Sequence, residues 1–208
     1  MNTARPVTWA NWLWLGITLA LIAVATLLGP AERTLGSQVR IVYLHGVWVW
    51  TALAAFVASA VAGLAGLLTR RASWHCWSRD LGRTGLLFWI TYLPVSVWAM
   101  QATWHGLFLS EPRWKLALVF CIAGLLMQVG LHLINDLRLT SLGNLGYIFM
   151  LIFTLLRAEN VMHPASPILT SDVRLIQVYF FGLLALMLLA AGQVAIFWRR
   201  LAGCRAAH

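Results

Sequence analysis

Six stretches of this chain are each long and apolar enough to cross a bilayer, and that feature excludes nearly every water-soluble fold. A hydrocarbon core about 30 Å thick takes roughly 20 apolar residues per helical crossing. Such runs lie near residues 11–29, 40–69, 84–103, 115–135, 143–159 and 174–198. Inside lipid the backbone has no water to bond, so each run must satisfy its amides internally as a helix. The sequence therefore predicts an all-α, polytopic bundle of six transmembrane helices forming one domain over residues 1–208, with connections too short to hold a soluble catalytic unit. Composition agrees, since only 10% of the residues are charged against about 25% in soluble domains. The longest polar stretch, Arg70 to Arg83, reads as a loop of fourteen residues.

The first run is too long, too rich in tryptophan (Trp9, Trp12, Trp14) and too poor in upstream charge for a signal peptide, and is expected to stay as an anchor. A formal net charge of +9 would point to nucleic acid in a soluble protein. Here topology accounts for it, and no nucleic-acid partner is expected. With the N-terminus inside, the inner segments hold Arg5, Arg70, Arg71, Arg79, Arg83, Arg138, Arg199, Arg200 and Arg205 against Asp80 and Asp136, nine positive to two negative. The outer segments hold Arg33, Arg40, Arg113, Lys115, Arg157 and Arg174 against Glu32, Glu111, Glu159 and Asp172, six to four. That asymmetry follows the positive-inside rule, and tryptophans near span ends suit interfacial belts. The expectation is N-in and C-in, in a cell's inner (cytoplasmic) membrane.

Little conventional enzyme chemistry is visible. There is no GxSxG, P-loop, GxGxxG or paired-carboxylate spacing, and Gly63-x-x-Gly66 reads as a close helix contact. Cys76, Cys121 and Cys204 are scattered without a CxxC, which argues against a disulfide or a thiolate metal site. The sequence leans away from a self-contained catalyst.

The histidines are more informative. His45 lies inside the second span, about 7–8 Å below its outer end at 1.5 Å per residue. An imidazole there needs a partner or a metal; a hydrogen bond to a neighbouring helix is the plain alternative. His163 follows the fifth span and precedes Pro164, which ends the helix. Two neutral imidazoles on different helices of an aromatic-rich bundle suit axial ligation of a heme iron. Zinc would ask for a third or fourth ligand, for which His105 is the candidate, but no HxH or HExxH spacing supports it. Heme propionates would need cations, and Arg40, Arg113, Arg157 and Arg174 all lie on the outer side, where snorkelling to the interface is their ordinary role. Arg40 and His45 are about 140° apart around a helix and face different neighbours. Tyr43, Trp48 and Trp50 flank His45, and Trp104, Phe108 and Trp114 bracket an outer stretch.

The run Gly36-Ser-Gln-Val-Arg-Ile-Val-Tyr-Leu-His45 resembles the G-x-x-x-R-I-x-Y-x-H segment of the heme exporter protein C type, heme-handling membrane proteins of cytochrome c maturation within the cytochrome c assembly family. The likeness extends in pattern across most of the chain: six spans, an outer tryptophan-bearing segment between spans three and four, and an outer histidine after span five. It implies heme b held by His45 and His163 as the two axial ligands. Arg40 and Arg113 would be its propionate partners, with Trp104 and Trp114 in the outer heme-presenting segment. It also implies partners: a heme chaperone, an apocytochrome, or transporter or redox subunits of a larger membrane complex. Glu111-Pro-Arg113 stands where the family's motif ends in Asp-x-Arg. The family's consecutive tryptophans are replaced by Trp104, Leu107, Phe108, Leu109 and Trp114, and the proline two residues after its first histidine is replaced within Gly46-Val47-Trp48. Those departures open an alternative, a heme-b anchor subunit that moves electrons between a quinone and an external redox partner.

Overall fold

The computed structural model describes residues 6–159, 168, 171–202 and 204. Six helices follow one another: α1 (Trp9–Leu27), α2 (Val39–Thr69), α3 (Ala72–Trp104), α4 (Pro112–Ile134), α5 (Leu137–Leu156) and α6 (Arg174–Ala202). All six are long and apolar enough to cross a membrane, so the chain is an all-α, multi-pass membrane bundle as the sequence predicts.

Sequence chemistry explains where these helices start and stop. Glu111 caps α4 by accepting from the Trp114 amide at 2.6 Å, with Pro112 in the first turn, where the missing proline N–H costs nothing. Asp136 caps α5, accepting from the Arg138 and Leu139 amides at 2.7 and 2.9 Å. Residues in the left-handed region, Arg70, His105 and Asn135, terminate α2, α3 and α4.

One boundary differs greatly from expectation. The predicted Arg70–Arg83 loop is almost entirely helix, because α3 begins at Ala72 and only Arg70 and Arg71 separate it from α2. The polar residues of this stretch lie on a helical face that the bundle covers: His75, Cys76, Ser78 and Asp80 are all buried. Hydropathy reads them as loop, whereas their spacing lets them pair within the protein. At 1.5 Å per residue, the 31 residues of α2 and the 33 of α3 reach roughly 46 and 50 Å, well beyond the hydrocarbon thickness.

The core is an α2–α3 hairpin flanked by α5 and α6, with α1 and α4 at the periphery. In lipid, helices associate through close packing and polar contacts more than through water exclusion, and both are present. A Cβ on Gly66 would meet His75 Nδ1 at 2.8 Å, and one on Gly63 would meet Ser78 Oγ at 3.0 Å, so the Gly63-x-x-Gly66 pair does bring α2 against α3. Gly82 opens the same space for Asn144, whose Nδ2 would lie 2.7 Å from an added Cβ.

Aromatic N–H and O–H groups donate across helices to Thr91 Oγ1 (from Trp48, 2.9 Å), Ala117 O (from Trp89, 2.9 Å), Phe120 O (from Tyr147, 2.7 Å) and Ala25 O (from Tyr179, 2.8 Å). The outward residues stay apolar, as lipid requires. On α1, Trp9, Trp12 and Trp14 are 77, 62 and 62% exposed.

Candidate functional site

Successive helices alternate in direction, so the bundle has two chemically distinct ends. The start of α1, end of α2, start of α3, end of α4, start of α5 and end of α6 gather at an arginine-rich end. His75 Nδ1 meets Ser141 Oγ there at 2.7 Å, and Arg200 donates to Asn11 Oδ1 at 2.6 Å. The opposite end carries His45, His105 and the Trp104–Trp114 stretch.

At this histidine end, His45 sits six residues into α2, about 9 Å along the axis. Its Nδ1 is sequestered from solvent, and its ring packs on Tyr92 of α3 with centroids 5.2 Å apart. Tyr92 in turn lies within electrostatic reach of Glu111 and Arg113 at the start of α4. Tyr92 thus links the α2 histidine to the Trp104–Trp114 stretch. No spacing singles it out in the sequence; its one signal is a phenol in a largely apolar span, where a polar tip needs a reason.

The flanking aromatics diverge. Tyr43 faces α6, its ring 5.2 Å from that of Tyr179, Trp48 faces α3 through Thr91, and Trp50 is exposed. Arg40 Nε donates to the Gly29 carbonyl at 2.9 Å and so ties the start of α2 to the end of α1. His45 and Arg40 contact different neighbours, as their angular separation requires. In the intervening loop Glu32 accepts from the Thr34 hydroxyl and from the Thr34 and Leu35 amides. The Thr34 hydroxyl foremost holds the Glu32 carboxyl below its ordinary value.

In the Trp104–Trp114 stretch Trp104 packs edge-on against Phe108, with centroids 5.5 Å apart and planes at 82°. Leu107, Phe108 and Leu109 are exposed, and so is His105, at the left-handed end of α3. Glu111 is 2% exposed. Its Oε1, Trp114 Nε1 and Tyr43 Oη are buried without a hydrogen-bond partner among the described residues. A groove of about 600 Å³ opens nearby between α4 and α5, lined by Lys115, Phe153, Arg157 and others. Arg157 sits over the Phe153 ring at 4.8 Å, and His45 does not line the groove. Arg174 begins α6 at this end. His163 lies outside the described residues.

Among the described residues no group of three or more His, Cys, Asp or Glu side chains could hold a metal ion. His105 therefore has no companions for a zinc site among the described residues, and the finding does not bear on an iron held by two imidazoles.

The arginine-rich end departs from the sequence reading in two respects. His75, placed by sequence in a cytoplasmic segment, is buried in the bundle against Ser141. Cys76 and Cys204, expected to be unpaired, form a disulfide with Cα atoms 5.9 Å apart. A pairing across 128 residues has no local spacing to betray it, and it exists because the end of α6 returns beside the first turn of α3. Cys121 is the free, buried thiol.

Deeper in this half, Asp80 is completely buried and its Oδ1 accepts from Arg79 Nε at 2.8 Å, with Arg199 Nη1 3.8 Å from Oδ2. A polar chain continues inward. Gln128 donates to Asn144 (2.7 Å), Asn144 to Ser78 O (3.0 Å), and Ser59 to the same carbonyl (2.6 Å).

These features define a polytopic helical membrane protein with a histidine–tyrosine contact at one end and a basic polar network at the other. No protein-family model matches this sequence, and no curated protein matches it.

Proposed function

We propose that this chain is a heme-binding membrane protein of the cytochrome c maturation type, set in a cell's cytoplasmic membrane with the histidine end outward. His45 and His163 would hold its iron. The observation that carries the proposal is the convergence of His45, Tyr92, Glu111 and Arg113 from α2, α3 and α4 at one end. At the start of α4, Glu111 and Trp114 carry buried polar atoms that lack hydrogen-bond partners among the described residues. A porphyrin suits this chemistry, since its rim takes aromatic packing, its iron takes a neutral imidazole and its carboxylates take arginine.

Bound heme would supply a redox-active iron. The residues of the chain bind and orient it. Tyr92 fixes the His45 ring from one side, burial of Nδ1 excludes water, and Arg113 offers charge to a propionate. Arg40 serves the propionates with what its Gly29 contact leaves, since its Nε is committed to that carbonyl. Partners would be a heme chaperone, an apocytochrome or transporter subunits.

A second reading, a heme-b anchor between a quinone and an external redox partner, is favoured by Trp104. Its edge-on contact with Phe108 is poorly suited to an open aromatic platform for presenting heme, and it suits retention instead.

The test is the absorption spectrum of detergent-purified protein beside His45→Ala and His163→Ala. A Soret band in the wild type that is lost or shifted in each variant is expected. A colourless wild type, or two variants with normal spectra, ends the bis-histidine proposal. Reduction of the heme by added quinol then separates the two readings, occurring only for the anchor.

A further inference from the structure

A cavity of about 180 Å³ lies at the arginine-rich end between α3, α4 and α5, far from the histidine end, with Arg79, Arg83, Gln128, His132 and Thr140 among its lining residues. Arg79 and Arg83 are four residues apart on α3, and so share one helical face, where like charges repel. Both are only partly exposed. His132 from α4 joins them, with Arg83 Nη2 3.4 Å from its Nδ1. A guanidinium has no acceptor, so in this contact His132 Nδ1 accepts, and the other ring nitrogen carries a proton that it can donate.

The nearby carboxylates do not balance these cations. Among the described residues Asp136 is the only acidic one lining the cavity, and its Oδ1 already accepts the Arg138 and Leu139 amides. Asp80 lies behind Arg79 and is shared with Arg199. Arg79, Arg83 and Arg199 therefore stand against two carboxylates, of which Asp80 is shared by Arg79 and Arg199 and Asp136 is engaged in the α5 cap. Bringing half-buried guanidiniums together is unfavourable unless an anion sits between them.

The volume matches roughly six waters, which is room for a tetrahedral oxyanion with part of its hydration shell. Leu131 and Leu137 also line the cavity, and beyond them the end of α4 is open and apolar, with Leu133 and Ile134 at 78 and 60% exposure.

We propose that this cavity binds a phosphate group, gripped by Arg79, Arg83 and His132. The group arrives either as the headgroup of an anionic phospholipid, whose chains would lie along the end of α4, or as free phosphate.

The test uses the full chain in phosphatidylcholine nanodiscs and reads bound adducts by native mass spectrometry. One arm adds phosphatidylglycerol and the other inorganic phosphate alone. The wild type should retain one of them, and Arg83→Gln and His132→Gln should each weaken retention by about tenfold, the loss expected of one charge-assisted hydrogen bond. Arg83→Lys should recover part of it, and Lys115→Gln at the opposite end should behave as wild type. Retention confined to the first arm assigns the site to lipid, and phosphate retention with the same variant sensitivity assigns it to the free anion. A wild type that retains neither, or variants that retain both as well as wild type, overturns the proposal. Should Arg83→Gln fail to fold, the exposed His132→Gln carries the comparison, since that side chain packs against no core.

Discussion

Asp136 bears a large structural responsibility for one small side chain. It ends the α4–α5 connection and accepts the Arg138 and Leu139 amides, and those two bonds, Leu139 first, hold its carboxyl below the ordinary 3.8. A carboxyl depressed on folding stabilises the native state at pH values above its unfolded value, and the gain is lost as pH falls through the lowered folded value. The cap should therefore be fully effective at neutral pH and fade below about pH 4. Asp136→Ala should lower stability by about 1 kcal/mol at pH 7, with wild type and variant converging in strong acid. Thermal melts of the two proteins across that range check it, and a pH-independent gap would rule out the carboxylate as the cause. Residues of this kind are legible in sequence, since an acid before an apolar run is a start signal. His45 was legible for the opposite reason, being a polar group where lipid tolerates few. Tyr92 and Asp80 were not, because a partner on another helix gives each its meaning.

Among the elements, α3 shows most clearly where hydropathy stops informing. Its apolar part from residue 84 onward was visible, but its first three turns were hidden by Ser, His, Asp and Arg, which a window average scores as loop. Packing reverses that reading, because Gly63 and Gly66 on α2 leave room for Ser78 and His75, and Asp80 finds two arginines. The same turns carry Cys76, whose bond to Cys204 fastens the end of α6 to the hairpin, with Arg199 donating to Ser73 beside it. A crosslink over so long a loop restricts the unfolded chain, an effect of about 2–4 kcal/mol in soluble proteins. Reduction, or Cys204→Ser, should accordingly lower the melting temperature and expose the α6 end to protease. Cys121→Ser should do neither, since that thiol takes no part in the bridge. Equal melting of oxidised and reduced protein would show the bond to be without structural effect.

At the scale of the whole molecule, the two ends pose a question of direction that charge and sulfur answer differently. The nine basic residues against two acidic ones counted in the sequence would put the arginine-rich end in the cytoplasm if the positive-inside rule governs insertion. A disulfide at that end would then sit in a reducing compartment, where such bonds are rare and often redox-responsive. Charge acts while the chain is being inserted, before α6 exists to bring Cys204 to Cys76, and the N-in orientation it favours is the one the heme proposal requires of His45. A fluorescent protein that matures only in the cytosol, fused after His208, should therefore glow. A fusion of the same reporter within the α3–α4 connection, near Ser110, should stay dark. Membrane-impermeant thiol reagent added to intact cells should fail to label Cys204 even after a permeant reductant has opened the bridge, and should label it once the cells are broken. Labelling in intact cells, with a dark C-terminal fusion, would invert the bundle. It would place the disulfide in the oxidising space and the histidine end, with any heme it holds, in the cytoplasm.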